Sequence, residues 1–301
     1  MEKIGDYILQ QKLREAGNVI VYRGHKVNES QSLIIKRLRT IHPTSTEMAR
    51  FRKEYERIKR LDVRGVVKIM DIVHAEDGFA LVLENFEGAS LESLLEKKEK
   101  IDIKSFLKIS SNLAETLGGI HAGGVIHRGV KPRNILINPA TEDVKITNFG
   151  ISAILTHENE EVYNPDFIKG TLAYMSPEQT GRMNRPVDYR TDLYSLGVTL
   201  YQMLTGILPF QSGDPMELIH AHLAIMPEPP VRLDSGIPVM VSDIVMRLLA
   251  KNPEERYQNG FGLEADFREC IRQLGDQKAI ATFNLGRHDI SSRFIIPQKL
   301  F

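Results

Sequence analysis

Along the first third of the chain, apolar and polar residues alternate in short runs with a period of two, the signature of half-buried strands. Three such runs come first: Y-I-L-Q-Q-K-L (7–13), V-I-V-Y-R-G-H-K-V (19–27) and S-L-I-I-K-R-L (32–38). The period then lengthens. Between Thr46 and Leu61 the apolar residues Met48, Phe51, Tyr55 and Ile58 stand three or four apart, which predicts one helix with a single buried face. V-V-K-I-M-D-I-V-H (66–74) and F-A-L-V-L-E (79–84) predict two further strands. Beyond E-N-F-E-G (84–88), whose Gly88 relaxes the backbone, the pattern turns helical. Helices are predicted over Leu91–Lys98, Ile103–Ala122, Thr191–Thr205, Met216–Ala224, Met240–Leu249 and Leu263–Leu274. Five strands with one helix, followed by a mainly helical body, predict an α+β fold of two lobes with a cleft between them.

Composition narrows the function classes. At 301 residues and 42% hydrophobic, the chain has enough apolar material for a large core or two lobes. Lys plus Arg and Asp plus Glu both number 39, so no charge imbalance points to nucleic acid or a membrane surface. The lone Cys270 excludes an intramolecular disulfide and fits a reducing cytoplasm, with a small buried residue as its plain reading. No apolar run reaches the ~18 residues of a membrane span, and M-E-K-I-G-D-Y lacks the apolar core of a signal peptide. A cytoplasmic location is the expectation. His220 and His222, two apart on a predicted helix, do not share a face and suggest no metal site.

Several short motifs occur in one order. Strand three ends L-I-I-K at Lys36, and F-R-K-E carries Glu54 on the following helix. H-R-G-V-K-P-R-N (127–134) supplies Gly129, Lys131 and Asn134; N-F-G (148–150), S-P-E (176–178), Asp192 and K-N-P-E-E-R-Y (251–257) follow. Together they resemble the protein kinase family, serine/threonine branch. The resemblance implies a five-stranded antiparallel sheet with one helix in an N-lobe at 1–85, a mainly helical C-lobe at 86–278, and a strap or linker at 279–301. It further implies that Lys36 holds nucleotide phosphates and pairs with Glu54, that Asp192 anchors the catalytic-loop backbone, and that Arg256 pairs with Glu178. Val21, Ile34, Leu83, Glu84, Phe86 and Leu136 would line the adenine pocket, with Lys36 at its phosphate end. A narrower resemblance, carried by 170–199, F-Q-S-G-D-P-M-E-L-I-H-A-H (210–222) and R-F-I-I-P-Q-K-L-F (293–301), is to the kinase domain of large bacterial signalling proteins. In those, an ATPase module, a sensor and a histidine kinase of two-component type follow. The implied partners are such attached domains or another protein, and the oligomeric state is open. Residues 279–301 then read either as a strap packed on the body or as the start of a further domain.

Against that pattern the chemistry is incomplete. Phosphoryl transfer needs an oriented hydroxyl, neutralising metal and a cradled phosphate chain. The acid that would orient the hydroxyl is Gly129, which has no side chain, and Asp143 lies in a T-E-D turn expected to point away. The first metal ligand is Asn148, whose amide oxygen lacks the charge that hard cations prefer. Mg²⁺ or Mn²⁺ held by Asn134 and Asn148 is therefore expected to be weak or absent. The glycines of the phosphate loop fall at Arg14, Ala16 and Val19, and the small residue that roofs adenine is Ile34. ATP binding stays open. The expected function is a catalytically impaired kinase-like regulatory or scaffolding module; the alternative is a weakly active ATP-dependent serine/threonine kinase, and a third reading is another ATP-dependent transfer. Thr156 and Tyr163 are candidate phosphosites with Arg128 as receptor, Thr171 is expected to bond the catalytic loop, and Arg182, Met183 and Arg185 form either a partner contact or a packed loop.

Overall fold

A computed structural model describes residues 2–16, 19–39, 44–75, 78–97, 101–149 and 172–290. The strands are β1 (Glu2–Ile4), β2 (Tyr7–Ala16), β3 (Val19–Lys26), β4 (Leu33–Leu38), β5 (Ile69–Ala75), β6 (Gly78–Glu84), β7 (Ala89–Ser90), β8 (Ile135–Ile137) and β9 (Val144–Ile146). The helices are α1 (Ser45–Lys59), α2 (Leu91–Glu96), α3 (Ile103–Ala122), α4 (Arg190–Thr205), α5 (Pro215–Ala224), α6 (Pro230–Leu233), α7 (Val239–Leu248) and α8 (Gly260–Gln277). They fall into two compact units. The first draws on Met1–Asp62, Val66–Glu87 and Thr147–Ile151, and the second on Val63–Gly65, Gly88–Ile146 and Ser152–Phe301.

In the first unit the strands pair antiparallel in the order β1-β2-β3-β4-β6-β5. The predicted five are present, and β1 adds a sixth. Its three residues are too few for a periodic signal; Gly5, at φ 52°, makes the turn that folds them back on Tyr7. Ile4, Leu9, Tyr22, Leu33, Ile35, Ala80 and Val82 cluster on one face of this sheet. Leu38, Phe79 and Leu81 pack on the other face with Met48 and Tyr55 of α1. That helix starts at a capping box: Thr44 Oγ1 accepts from Glu47 N–H at 3.3 Å, and Glu47 Oε2 accepts from Thr44 N–H at 2.8 Å.

The second unit is built around α4, whose residues from Arg190 to Tyr201 are all buried, as suits a central helix. It stops at Gly206, in the left-handed conformation. Helix α3 is capped by Asp102, which accepts from Lys104 N–H and Ser105 N–H at 3.0 and 3.1 Å, and it packs along α8. The predicted start of α8 at Leu263 falls three residues late. Gly260 and Gly262 discourage a helix in isolation, yet a Cβ at Gly260 would lie 2.4 Å from the Ala114 carbonyl oxygen, so glycine is what lets the two helices meet. Cys270 on α8 is fully buried, and burial pushes its thiol up to about 12, the inert residue expected. No helix among the described residues is long and apolar enough to cross a membrane.

Candidate functional site

The phosphate end of the predicted site is set by strand register in the first unit. Val21 stands opposite Lys36, Lys36 opposite Leu81, and Ile34 opposite Leu83. Residues two apart on a strand share a face, so Val21, Ile34, Lys36 and Leu83 lie together on the face opposite the Tyr22–Leu33–Ile35 core. Lys36 is only 3% exposed, and its ammonium donates to Asn148 Oδ1 at 3.3 Å. Asn148 sits at φ 69°, a left-handed conformation that asparagine and aspartate tolerate better than other side chains. The two residues named as phosphate and metal positions are thus in contact. The side chain of Glu54 lies outside the described residues. Glu84 is turned to its own sheet: its carboxylate accepts from Lys68 N–H at 2.7 Å, and its N–H donates to the Lys68 carbonyl at 3.0 Å. Phe86 is half-buried beside it. The β2–β3 hairpin stays paired up to Ala16 and Val19, with exposed Arg14 opposite Val21, so strand continues where a glycine-rich loop would stand.

Gly129, Lys131, Asn134 and Leu136 belong to the second unit. The loop that carries them is held from inside by Asp192, which has no exposed surface. One carboxylate oxygen accepts from Arg128 N–H at 2.7 Å; the other accepts from His127 N–H at 2.8 Å and lies 2.9 Å from His121 Nε2. Burial opposes ionisation here, but the hydrogen bond and charge of His121, with His127 beside it, hold the carboxyl below its usual range. Arg128 sits at φ 59°, an uncommon conformation for a long side chain, and its anchored N–H keeps it there. Gly129 N–H meets His127 Nδ1 at 3.2 Å, and Asn134 Nδ2 donates to the Gly129 carbonyl at 2.8 Å. A turn at Pro132–Asn134 leads into β8, where Leu136 lies opposite Ser90 and Lys145. Lys131 is half-buried on this loop.

The backbone at position 129 is therefore braced on both sides while no side chain projects from it. Asp143, as expected, is turned to other work: its carboxylate accepts from Thr141 Oγ1 at 2.9 Å and pairs with Arg64 at 3.4 Å. Among the described residues no group of three His, Cys, Asp or Glu side chains is placed to hold a metal ion.

The S-P-E segment docks onto the same frame. Glu178 and Arg256 form a buried bidentate pair at 2.7 and 2.9 Å, with Thr191 Oγ1 donating to the same carboxylate at 2.8 Å. Burial resists the charge on Glu178, and the Arg256 guanidinium overcomes it, holding the carboxyl below its ordinary value. Gln179 Nε2 reaches the Arg128 carbonyl at 3.4 Å, which ties the segment to the catalytic-type loop. Thr156, Tyr163 and Thr171 lie outside the described residues. Arg182 and Arg185 are exposed, whereas Met183 is half-buried. His121 and Gln179 were not singled out from the sequence. A histidine in the last turn of α3 reads as a helix-end cation, and nothing local shows that it faces Asp192 seventy-one positions on.

The family model described as Protein kinase domain matches residues 7–267. A probable serine/threonine-protein kinase of Clostridium perfringens is 32% identical over 266 residues, covering 87% of this chain and 38% of the relative. The serine/threonine-protein kinase pkn3 of Myxococcus xanthus is 31% identical over 276 residues, 89% of this chain and 50% of the relative. The serine/threonine-protein kinase PknB of Mycobacterium tuberculosis is 34% identical over 221 residues, 72% of this chain and 35% of the relative. The chain spans half the length of these relatives or less.

Proposed function

The chain belongs to the protein kinase domain family, and from that premise we propose that it is a serine/threonine-kinase-like module with impaired phosphotransfer, acting in bacterial signal transduction through attached domains or a protein partner. In this reading an N-lobe spans 1–85, a C-lobe 86–278, and residues 279–301 form a C-terminal strap or a linker to a following domain. One observation carries the proposal. The loop at 127–134 is held in place by Asp192 and Asn134, so position 129 is ordered, yet it presents only backbone. A general base typically contributes about 10²–10⁴ in rate, and Asp143, an acid close by in sequence, is engaged elsewhere. Asn148 in place of an acid removes the charge that would hold a divalent ion.

A second reading, a weakly active kinase, is favoured by the retention of Lys36, buried and facing position 148. It would use Lys36, Lys131 and Asn134, with the metal held poorly. The test is transfer of labelled γ-phosphate in Mg²⁺ and in Mn²⁺ by the native protein, by Lys36→Met, and by the double variant Gly129→Asp/Asn148→Asp. The expected result is no Lys36-dependent product from the native protein and a gain of about 10² or more in the double variant. Labelled product from the native protein that disappears in Lys36→Met would overturn the impairment and establish the second reading.

A further inference from the structure

Position 148 has exchanged an anionic oxygen pair for an amide, and the structure shows what that amide oxygen does. Asn148 Oδ1 accepts from the Lys36 ammonium at 3.3 Å. A divalent cation on the same oxygen would lie beside that positive charge, without the carboxylate that ordinarily separates the two. Hard cations select anionic oxygens, and the other residue named for metal binding, Asn134, likewise offers only a neutral amide oxygen. With no acid at 129 and no metal-competent acid, His or Cys group among the described residues, the donor set does not fit Mg²⁺ or Mn²⁺.

The same exchange alters what a phosphate chain meets. A Lys–Asp pair is neutral overall, and its carboxylate repels phosphate oxygens, a repulsion that a bridging metal cancels. With Asn in place of Asp the site carries one negative charge fewer, and an amide offers N–H donors to phosphate where a carboxylate offers only acceptors. Lys36 is buried, which strengthens its field on a ligand that excludes water. We infer that the Lys36–Asn148 pair takes the phosphates of a nucleoside di- or triphosphate directly, with no divalent cation required. The inference rests on the kinase-family reading of the site and adds to it the ionic form of the ligand.

The test is a titration with fluorescent N-methylanthraniloyl-ADP and -ATP, in excess EDTA and again in excess Mg²⁺, on the native protein, Asn148→Asp and Lys36→Met. Native affinity should agree in the two buffers to within about twofold, far less than the 1.4 kcal/mol of a tenfold change. Asn148→Asp keeps the left-handed backbone that both residues tolerate; it should weaken binding in EDTA and recover at least about tenfold with Mg²⁺. Lys36→Met should lose about tenfold or more in both buffers. Thermal unfolding of each variant without ligand checks that it is folded; if Lys36→Met is not, the native and Asn148→Asp arms decide. Native binding about tenfold tighter in Mg²⁺ than in EDTA would overturn the inference, as would no binding in either buffer. Neither result touches the proposed impairment, which falls only if Lys36-dependent phosphotransfer is found.

Discussion

Asp192 and Asn148 show two fates of an acidic position in one fold. At Asp192 the carboxylate is fully buried and serves two backbone N–H groups and an imidazole. At 148, where the family motif has an acid, an amide stands, half-exposed, and its oxygen accepts from a lysine. An acid enclosed by donors cannot be lost without stranding them in a dry interior, whereas at 148 an amide oxygen still accepts from the Lys36 ammonium. The electrostatics that hold this fold and those that would carry chemistry are thus separable. The Glu178–Arg256 pair, with its bidentate geometry and Thr191 partner, belongs to that first set.

Reciprocal exchanges break or sharpen this contrast, and the largest effects belong to the buried frame. Glu178→Ala leaves the Arg256 guanidinium unpaired in the interior and should cost about 3–5 kcal/mol in urea unfolding. Asp192→Asn turns an N–H₂ group toward donors and should cost about 3 kcal/mol; a loss below about 1 kcal/mol would show that the anchor is dispensable.

A pH effect of similar size comes from His222. It is buried against Tyr194, whose hydroxyl is 2.9 Å from Nδ1, and against Phe210. Burial first, and then the neighbouring Lys251 ammonium, lower its pKa to about 4. The unfolded chain, titrating near the ordinary value of about 6.5, then binds more protons than the folded one between the two values. Stability should be full above about pH 6.5 and fall by on the order of 3 kcal/mol as pH drops to 4. His222→Gln should flatten that slope when denaturant midpoints are compared across the window. Asp289→Ala should cost about 1–3 kcal/mol, since Asp289 accepts from Gln258 N–H at 2.8 Å and Asn259 N–H at 3.1 Å; faster hydrogen exchange at those two amides would locate the damage. The smallest effect is at the emptied position: Asn148→Asp should move stability by less than about 0.5 kcal/mol, and a change of several would mean that the amide is part of the frame after all.

Much of this arrangement was legible because local patterns and the motif order agree. The bounds of α3 match their expectation, since Asp102 and Gly123 bracket a strongly periodic run. Asp192 and Arg256 have the partners that the family resemblance implies. What escaped was long-range or too short to be periodic. Strand β1 exists because Ile4 finds a core to enter, and α8 begins three residues early because Gly260 meets α3. The contact between Lys36 and Asn148 spans 112 positions; motifs suggested a shared site, but not that the ammonium would occupy the amide oxygen.

Asp289 carries one more consequence. Its carboxylate, 2% exposed, grips the start of α8 and also pairs with Arg247, while Gly286 N–H donates to Asp266 on the same helix at 2.7 Å. The recognisable family segment ends at residue 267, part-way along α8, yet some of the contacts that secure that helix come from beyond it. The family segment and the packed body therefore have different endpoints. A protein trimmed to the inherited segment would keep every residue of the kinase signature and lose part of the fastening of its last helix.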